Sequence, residues 1–166
     1  MKRALVFCTA LVLALPLVAF AQKADLSGTW SFDEAKSDPA PAGRGGGGGR
    51  GGGGRGGATA SKLVIKQTAG ELTVERTLPN GAETVVFKLD GTESVNKMGP
   101  GEGRSKASWD GNNLVITTQQ QVQTPGGTFD ITVKDVYSVQ GGVLTLTTTR
   151  TTGRGDVTRK LVYNKG

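Results

Sequence analysis

Along most of the chain, apolar and polar residues alternate one by one. Lys62–Gln67, Glu71–Leu78, Thr84–Leu89, Arg104–Trp109, Leu114–Gln123, Phe129–Val139, Val143–Thr152 and Val157–Tyr163 are rich in Val, Ile, Thr and aromatic residues. Most of these runs repeat with a period of two, the pattern of a strand with one buried face. Between them stand Ala69-Gly70, Asn80-Gly81, Asp90-Gly91, Gly99-Pro100-Gly101, Asp110-Gly111-Asn112, Pro125-Gly126-Gly127, Gln140-Gly141-Gly142 and Gly153-Arg154-Gly155. Gly and Asn accept the positive φ that tight hairpin turns require. No stretch keeps a helical period for a useful length. With Leu26–Phe32 added, the pattern predicts an all-β, antiparallel up-and-down meander of about nine strands. Closure into a barrel removes its edges, and an open half-barrel or a sandwich is the alternative.

The same period places charge on apolar faces. Phe129, Ile131, Val133, Asp135, Tyr137 and Val139 share one face. So do Leu72, Val74, Arg76 and Leu78, then Leu144, Leu146, Thr148 and Arg150, and also Val157, Arg159, Leu161 and Tyr163. Leu114, Ile116, Thr118, Gln120 and Val122 make a fifth, partly polar face. One carboxylate, three guanidinium groups and an amide therefore turn toward the core side. Buried charge must be paired, reach the mouth of the barrel or meet a polar ligand. One reading pairs Asp135 with Arg150 on the adjacent strand and leaves Arg76 and Arg159 in water at strand ends. The other makes Arg76, Gln120, Asp135, Arg150, Arg159 and Tyr163 a ligand-binding set that offers donors to the carboxylate of an amphipathic molecule inside the barrel. Trp109, on a face with Ser105 and Ala107, reads as core, as does Phe87.

The ends of the chain change the picture of its charge. Met1-Lys2-Arg3, an apolar run from Ala4 to Phe20 and the small residues Ala19 and Ala21 predict a secretory signal peptide over 1–21. The alternative, a membrane span, would be short at this length. Residues 22–166 then form a single β domain exported to a bacterial periplasm or exterior. Cys8 leaves with the leader, so no disulfide can form.

From Gly43 to Gly57 the chain is 12 Gly and three Arg. Such a stretch has no apolar area to bury and maximal backbone entropy to lose, so 38–61 is predicted to be a disordered loop after the first strand. Arg44, Arg50 and Arg55 begin Arg-Gly-Gly triplets and resemble the RGG segments of RNA-binding proteins. No Phe or Tyr is interleaved to stack on bases, and export leads away from RNA, so nucleic acid is not an expected partner. The tract reads as a tolerated insertion, or as a weak contact for anionic envelope polymers and lipid headgroups. The chain's net +6 becomes nearly neutral once Lys2, Arg3 and the three tract arginines are set aside, leaving 15 Lys+Arg against 14 Asp+Glu.

Asp25-Leu26-Ser27-Gly28-Thr29-Trp30 heads the mature chain. Gly28-x-Trp30 on the first strand, followed by a meander, resembles the lipocalin-like families, and in particular small exported bacterial proteins that begin with a Leu-Ser-Gly-Thr-Trp run. The resemblance implies that Gly28 and Trp30 form the barrel-base motif, with Trp30 packed beneath Arg159 or Arg150. The disulfide of true lipocalins is missing, and the Gly-Arg tract replaces their first long loop. The inward arginines are similar to those with which intracellular lipid-binding barrels hold fatty-acid headgroups, although the Arg-x-Tyr spacing of that family is replaced by Arg159-x-x-x-Tyr163.

Chemistry narrows the function. The chain has no His, the side chain best suited to proton transfer near neutral pH and the commonest metal ligand. No Gly-x-Ser-x-Gly, P-loop or dinucleotide fingerprint stands on a strand-to-helix turn. Asp33, Glu34 and Asp38 do not match an EF-hand loop and read as a solvated acidic turn, with no metal or cofactor expected. The expectation is a non-catalytic carrier or sensor of a small amphipathic, carboxylate-bearing molecule. A solid, envelope-associated interaction module is the alternative, and a carboxylate-based hydrolase comes third.

Overall fold

The predicted alternation builds one continuous sheet that curls on itself. The computed structural model describes residues 23–40, 58–98, 101–124, 127–153 and 155–166. They carry β1 (Gly28–Phe32), β2 (Lys62–Gln67), β3 (Glu71–Leu78), β4 (Gly81–Lys88), β5 (Ser94–Met98), β6 (Gly101–Asp110), β7 (Asn113–Thr124), β8 (Gly127–Gln140), β9 (Val143–Thr152) and β10 (Gly155–Lys165). A single 3-10 turn, Glu34–Lys36, is the sole helical element among the described residues. The predicted leader 1–21 and the tract arginines Arg44, Arg50 and Arg55 lie outside the described residues.

The strand order is β4-β3-β2-β1-β10-β9-β8-β7-β6-β5, antiparallel throughout. The first and last strands meet, with Trp30 opposite Lys165 and Phe32 opposite Tyr163. The two edges of the sheet are therefore β4 and β5, consecutive in sequence and facing each other across a narrow seam. The barrel is nearly closed, and side chains bridge what the ladder leaves open. Val86 N–H donates to Asn96 Oδ1 at 2.8 Å, and Asn96 Nδ2 donates back to the Val86 carbonyl at 2.8 Å. Two residues along, Lys88 N–H donates to Ser94 Oγ at 2.8 Å. These bonds satisfy edge groups that would otherwise be unpaired.

β5 is the strand that the alternation does not reveal, so the sheet has ten strands rather than about nine. Its inward residues, Ser94 and Asn96, are polar and buried, while Val95 points outward and is exposed. Hydrophobic periodicity fails here because the buried face works by hydrogen bonding. Across β5, Gly103 admits Met98: a Cβ at that position would lie 2.6 Å from Met98 Sδ.

The floor of the barrel is apolar. Leu26, Trp30, Leu72, Val74, Val85, Leu114, Ile116 and Leu144 are completely buried, and Phe87, Tyr137 and Tyr163 nearly so. Each such large side chain contributes about 1.5–3 kcal/mol by leaving water. The strap before β1 closes this end: Gln67 Oε1 accepts from Leu26 N–H at 2.9 Å, and Gln67 Nε2 donates to the Ala24 carbonyl at 3.0 Å. Trp109 packs against the same core as a partly buried residue.

The first connection is stitched to the wall at both described ends. Asp38 N–H donates to the Lys160 carbonyl at 2.8 Å and its carboxylate accepts from Lys160 N–H at 2.7 Å. Ala60 is buried, and Ser61 N–H donates to the Thr77 carbonyl at 2.9 Å. The acidic turn is also tied in, since Asp33 accepts from Asn164 Nδ2 at 2.8 Å and pairs with Lys36 at 2.8 Å.

Candidate functional site

Above the apolar floor the inward positions turn polar and become partly exposed. Reading across β10, β9, β8 and β7, Arg159 lies opposite Thr148, Thr148 opposite Asp135, and Asp135 opposite Ile116. All four side chains face inward. Thr148 Oγ1 donates to Asp135 Oδ1 at 2.7 Å. Arg76, from β3 on the other side of the barrel, is the cation whose field reaches Asp135, Tyr137 and Tyr163. Arg76, Asp135, Thr148 and Arg159 face inward yet remain partly exposed, as residues around an open cup should.

Electrostatics distinguish the members of this cluster. Burial pushes the Asp135 carboxyl above its ordinary value, a shift opposed by the Thr148 hydrogen bond and by Arg76. Burial also raises both phenols, Tyr163 to about 12, with Arg76 and Arg159 pulling the other way. The tyrosines are therefore neutral hydroxyls at any physiological pH. Arg159 donates to the Asp38 carbonyl at 3.1 Å and to Thr59 Oγ1 at 3.2 Å, which fixes its guanidinium at the first connection. Among the described residues, the Nε atoms of Arg76 and Arg159 are nevertheless buried without a hydrogen-bond partner. Two unsatisfied cationic donors facing one cup are the kind of exception that a ligand resolves.

Of the residues predicted as a ligand-binding set, Arg76, Asp135, Arg159 and Tyr163 come together through these interactions. Gln120 stands apart on β7, where its amide donates to the Met98 carbonyl at 2.9 Å and steadies β5. Arg150 faces the same interior but lies opposite Val133 and Val157, so the expected Asp135–Arg150 pair is not formed. The two-residue Gly141-Gly142 turn fixes that register, and counting back from it brings Thr148, not Arg150, opposite Asp135. Tyr137 and Thr148 are the site residues that the sequence reading did not select, and the turn length was the available signal for Thr148.

The barrel-base motif also differs in its cation. Trp30 Nε1 donates to the Leu26 carbonyl at 2.9 Å, and the ammonium of Lys165, not Arg159 or Arg150, stands 5.5 Å from the ring centre. Both arginines belong to the upper cup, and the β1–β10 register brings Lys165 opposite Trp30 instead. Gly28 has φ +136, and a Cβ there would lie 3.1 Å from Lys165 Cε.

The mouth carries apolar residues. Phe129 shares the inward face of β8 with Asp135, and Val157 that of β10 with Arg159, yet they are 54% and 53% exposed. A separate cleft of about 400 Å³ opens at the floor end, lined in part by Lys23, Asp25, Gln67 and Trp109. Gln67 N–H donates there to Ser27 Oγ at 3.2 Å and Lys23 lies 5.6 Å over the Trp109 ring, while Trp109 Nε1 is buried without a hydrogen-bond partner among the described residues.

An abundant heat soluble (SAHS) protein from Ramazzottius varieornatus superposes with a TM-score of 0.58 at 21% identity, over 85% of this chain and 95% of that one. A REP1-NXSQ fatty acid transporter gives 0.57 at 14% identity, over 85% and 96%. The fold, a nearly closed antiparallel β-barrel, is the one these proteins share. No protein-family model matches the chain, and no curated protein matches it. At these identities the likeness is one of fold, and the site must be argued from its own residues.

Proposed function

We propose that the protein is an exported, non-catalytic carrier that holds a small amphipathic molecule in the barrel, its anionic head on Arg76 and Arg159. The observation that carries this reading is the pair of guanidinium Nε atoms that lie buried, without partners among the described residues, above an apolar floor. A carboxylate or similar anion supplies the missing acceptors, and charge-assisted bonds of this kind are the strong ones. Inward-facing Leu78, Met98, Val133 and Leu161, with Phe129 and Val157 at the rim, offer apolar contact to the tail. One barrel of like fold is a fatty acid transporter, which favours binding over catalysis. Export rests on the leader 1–21, and a role for Arg44, Arg50 and Arg55 at anionic envelope polymers rests on their charge alone.

Native mass spectrometry of the purified protein tests the carrier. A co-purifying mass of lipid size, lost on organic extraction and regained from a fatty-acid mixture, is the expected result. A protein that stays at its bare mass after incubation with such a mixture would contradict it.

A further inference from the structure

Asp135 faces the same interior as Arg76 and Arg159, and among the described residues it makes no ion pair. Among the described residues its one side-chain hydrogen bond comes from the neutral hydroxyl of Thr148. Among the described residues no Lys or Arg nitrogen comes within 4.0 Å of it. The charged and titratable groups that share its interior come from several walls. Arg76 on β3 and, opposite it on β4, Glu83 lie across the barrel. Tyr137 is on its own strand, Arg150 is one inward position nearer the mouth on β9, and Arg159 and Tyr163 are on β10. The inward positions of β5, β6 and β7 carry Ser94, Asn96, Ser105, Ala107, Ile116 and Thr118, none of which titrates near neutrality.

We propose that the cup binds its anionic ligand together with a proton, taken up by Asp135, so that the complex forms in mildly acidic surroundings and loosens as pH rises. This inference rests on the carrier reading above. A ligand anion seated on Arg76 adds negative charge beside Asp135. It also engages the cation that now offsets the carboxylate's burial. Both effects favour the neutral acid, as when two carboxylates share one site. Once protonated, Asp135 gains an O–H that donates to the bound anion, while its other oxygen still accepts from Thr148. The step is balanced: one proton leaves the solvent and stays on Asp135, and no covalent bond to the ligand forms or breaks. Tyr137 and Tyr163 stay neutral throughout; Glu83, opposite Arg76, is the other carboxylate of this interior, and Asp135→Asn distinguishes it from Asp135 as the group that changes state.

Calorimetric titration of the purified, delipidated protein tests this, in pairs of buffers with different ionisation enthalpies from about pH 5 to about pH 8. Decanesulfonate is the probe because it remains anionic throughout, so any proton taken up belongs to the protein. We expect uptake approaching one proton within this range and affinity falling about tenfold or more toward the alkaline end. Decanol, which has no charge, should bind with no such dependence. Asp135→Asn keeps an acceptor for Thr148 and should bind decanesulfonate with constant affinity and no uptake, and more tightly than the parent at the alkaline end. PH-independent binding of decanesulfonate by the parent would overturn the coupling and leave the carrier intact. Binding of decanol alone would overturn both the coupling and the anion site, and binding of neither probe at any pH would overturn the carrier reading with it.

Discussion

The carboxamide of Asn96 makes with the backbone of Val86 the two hydrogen bonds that a neighbouring strand would have made. Ser94 repeats the device at Lys88 N–H. A sheet that ran out of ladder between β4 and β5 is thereby held as a barrel by two side chains. Asn96 is buried, so removing its amide strands both Val86 groups without water to replace it. We expect Asn96→Ala to destabilise the protein by about 1–3 kcal/mol. A lower urea midpoint, together with faster amide exchange confined to β4 and β5, would be the accompanying evidence, whereas unchanged stability would show the seam to be held by packing alone.

Trp30 locks the floor through both its area and its N–H. Trp30→Phe retains most of the buried ring and loses the bond to the Leu26 carbonyl, for about 1 kcal/mol. Trp30→Ala also opens a cavity beneath the cup and should cost about 3–5 kcal/mol. Equal effects of the two substitutions in urea unfolding would mean that the hydrogen bond, not packing, dominates.

Two carboxylates should move stability with pH in opposite directions. Asp135 has a folded-state pKa raised above the ordinary 3.8, so the folded protein binds more protons than the unfolded chain. Stability then falls as pH rises from 3.8 through the folded value, and the full penalty is present above it. Asp135→Asn removes that penalty and should be more stable than the parent at neutral pH, the advantage fading in acid. Asp33 is lowered by its bonds to Lys36 and Asn164. Its contribution is present above the unfolded value and is lost as pH falls through the folded one. Asp33→Asn should therefore be less stable than the parent at neutral pH and converge with it in acid. Urea midpoints of the three proteins between about pH 3 and about pH 7 measure both signs, and a common sign for the two variants would refute the assignment.

How much of this the sequence discloses depends on what each residue type signals. The hairpins at Asn80-Gly81 and Gln140-Gly141-Gly142 are legible because the backbone needs positive φ there, as at Gly141 and Gly142 with φ 58 and 76, whereas Asp90-Gly91 turns the chain between β4 and β5, which do not pair. The inward direction of Arg76, Asp135, Arg159 and Tyr163 follows from period two alone. β5 is illegible to a hydrophobic reading because Ser94 and Asn96 are buried for their hydrogen bonds. Lys165 over Trp30 depends on the meeting of first and last strands, a contact between the two ends of the chain that no local pattern encodes. The partner of Asp135 lies between these cases, since the two-residue turn determines its register although composition favours the arginine two residues beyond Thr148.

In the carrier proposed above, Arg76 holds the ligand's anionic head inside the barrel. Isothermal titration of decanoate into the delipidated protein and into Arg76→Gln, at one pH where both are folded, tests it most directly. The account predicts a single site in the parent and about tenfold or greater weakening in the variant, with decanol affected far less by the substitution. Decanoate binding of equal strength in the two proteins would contradict it.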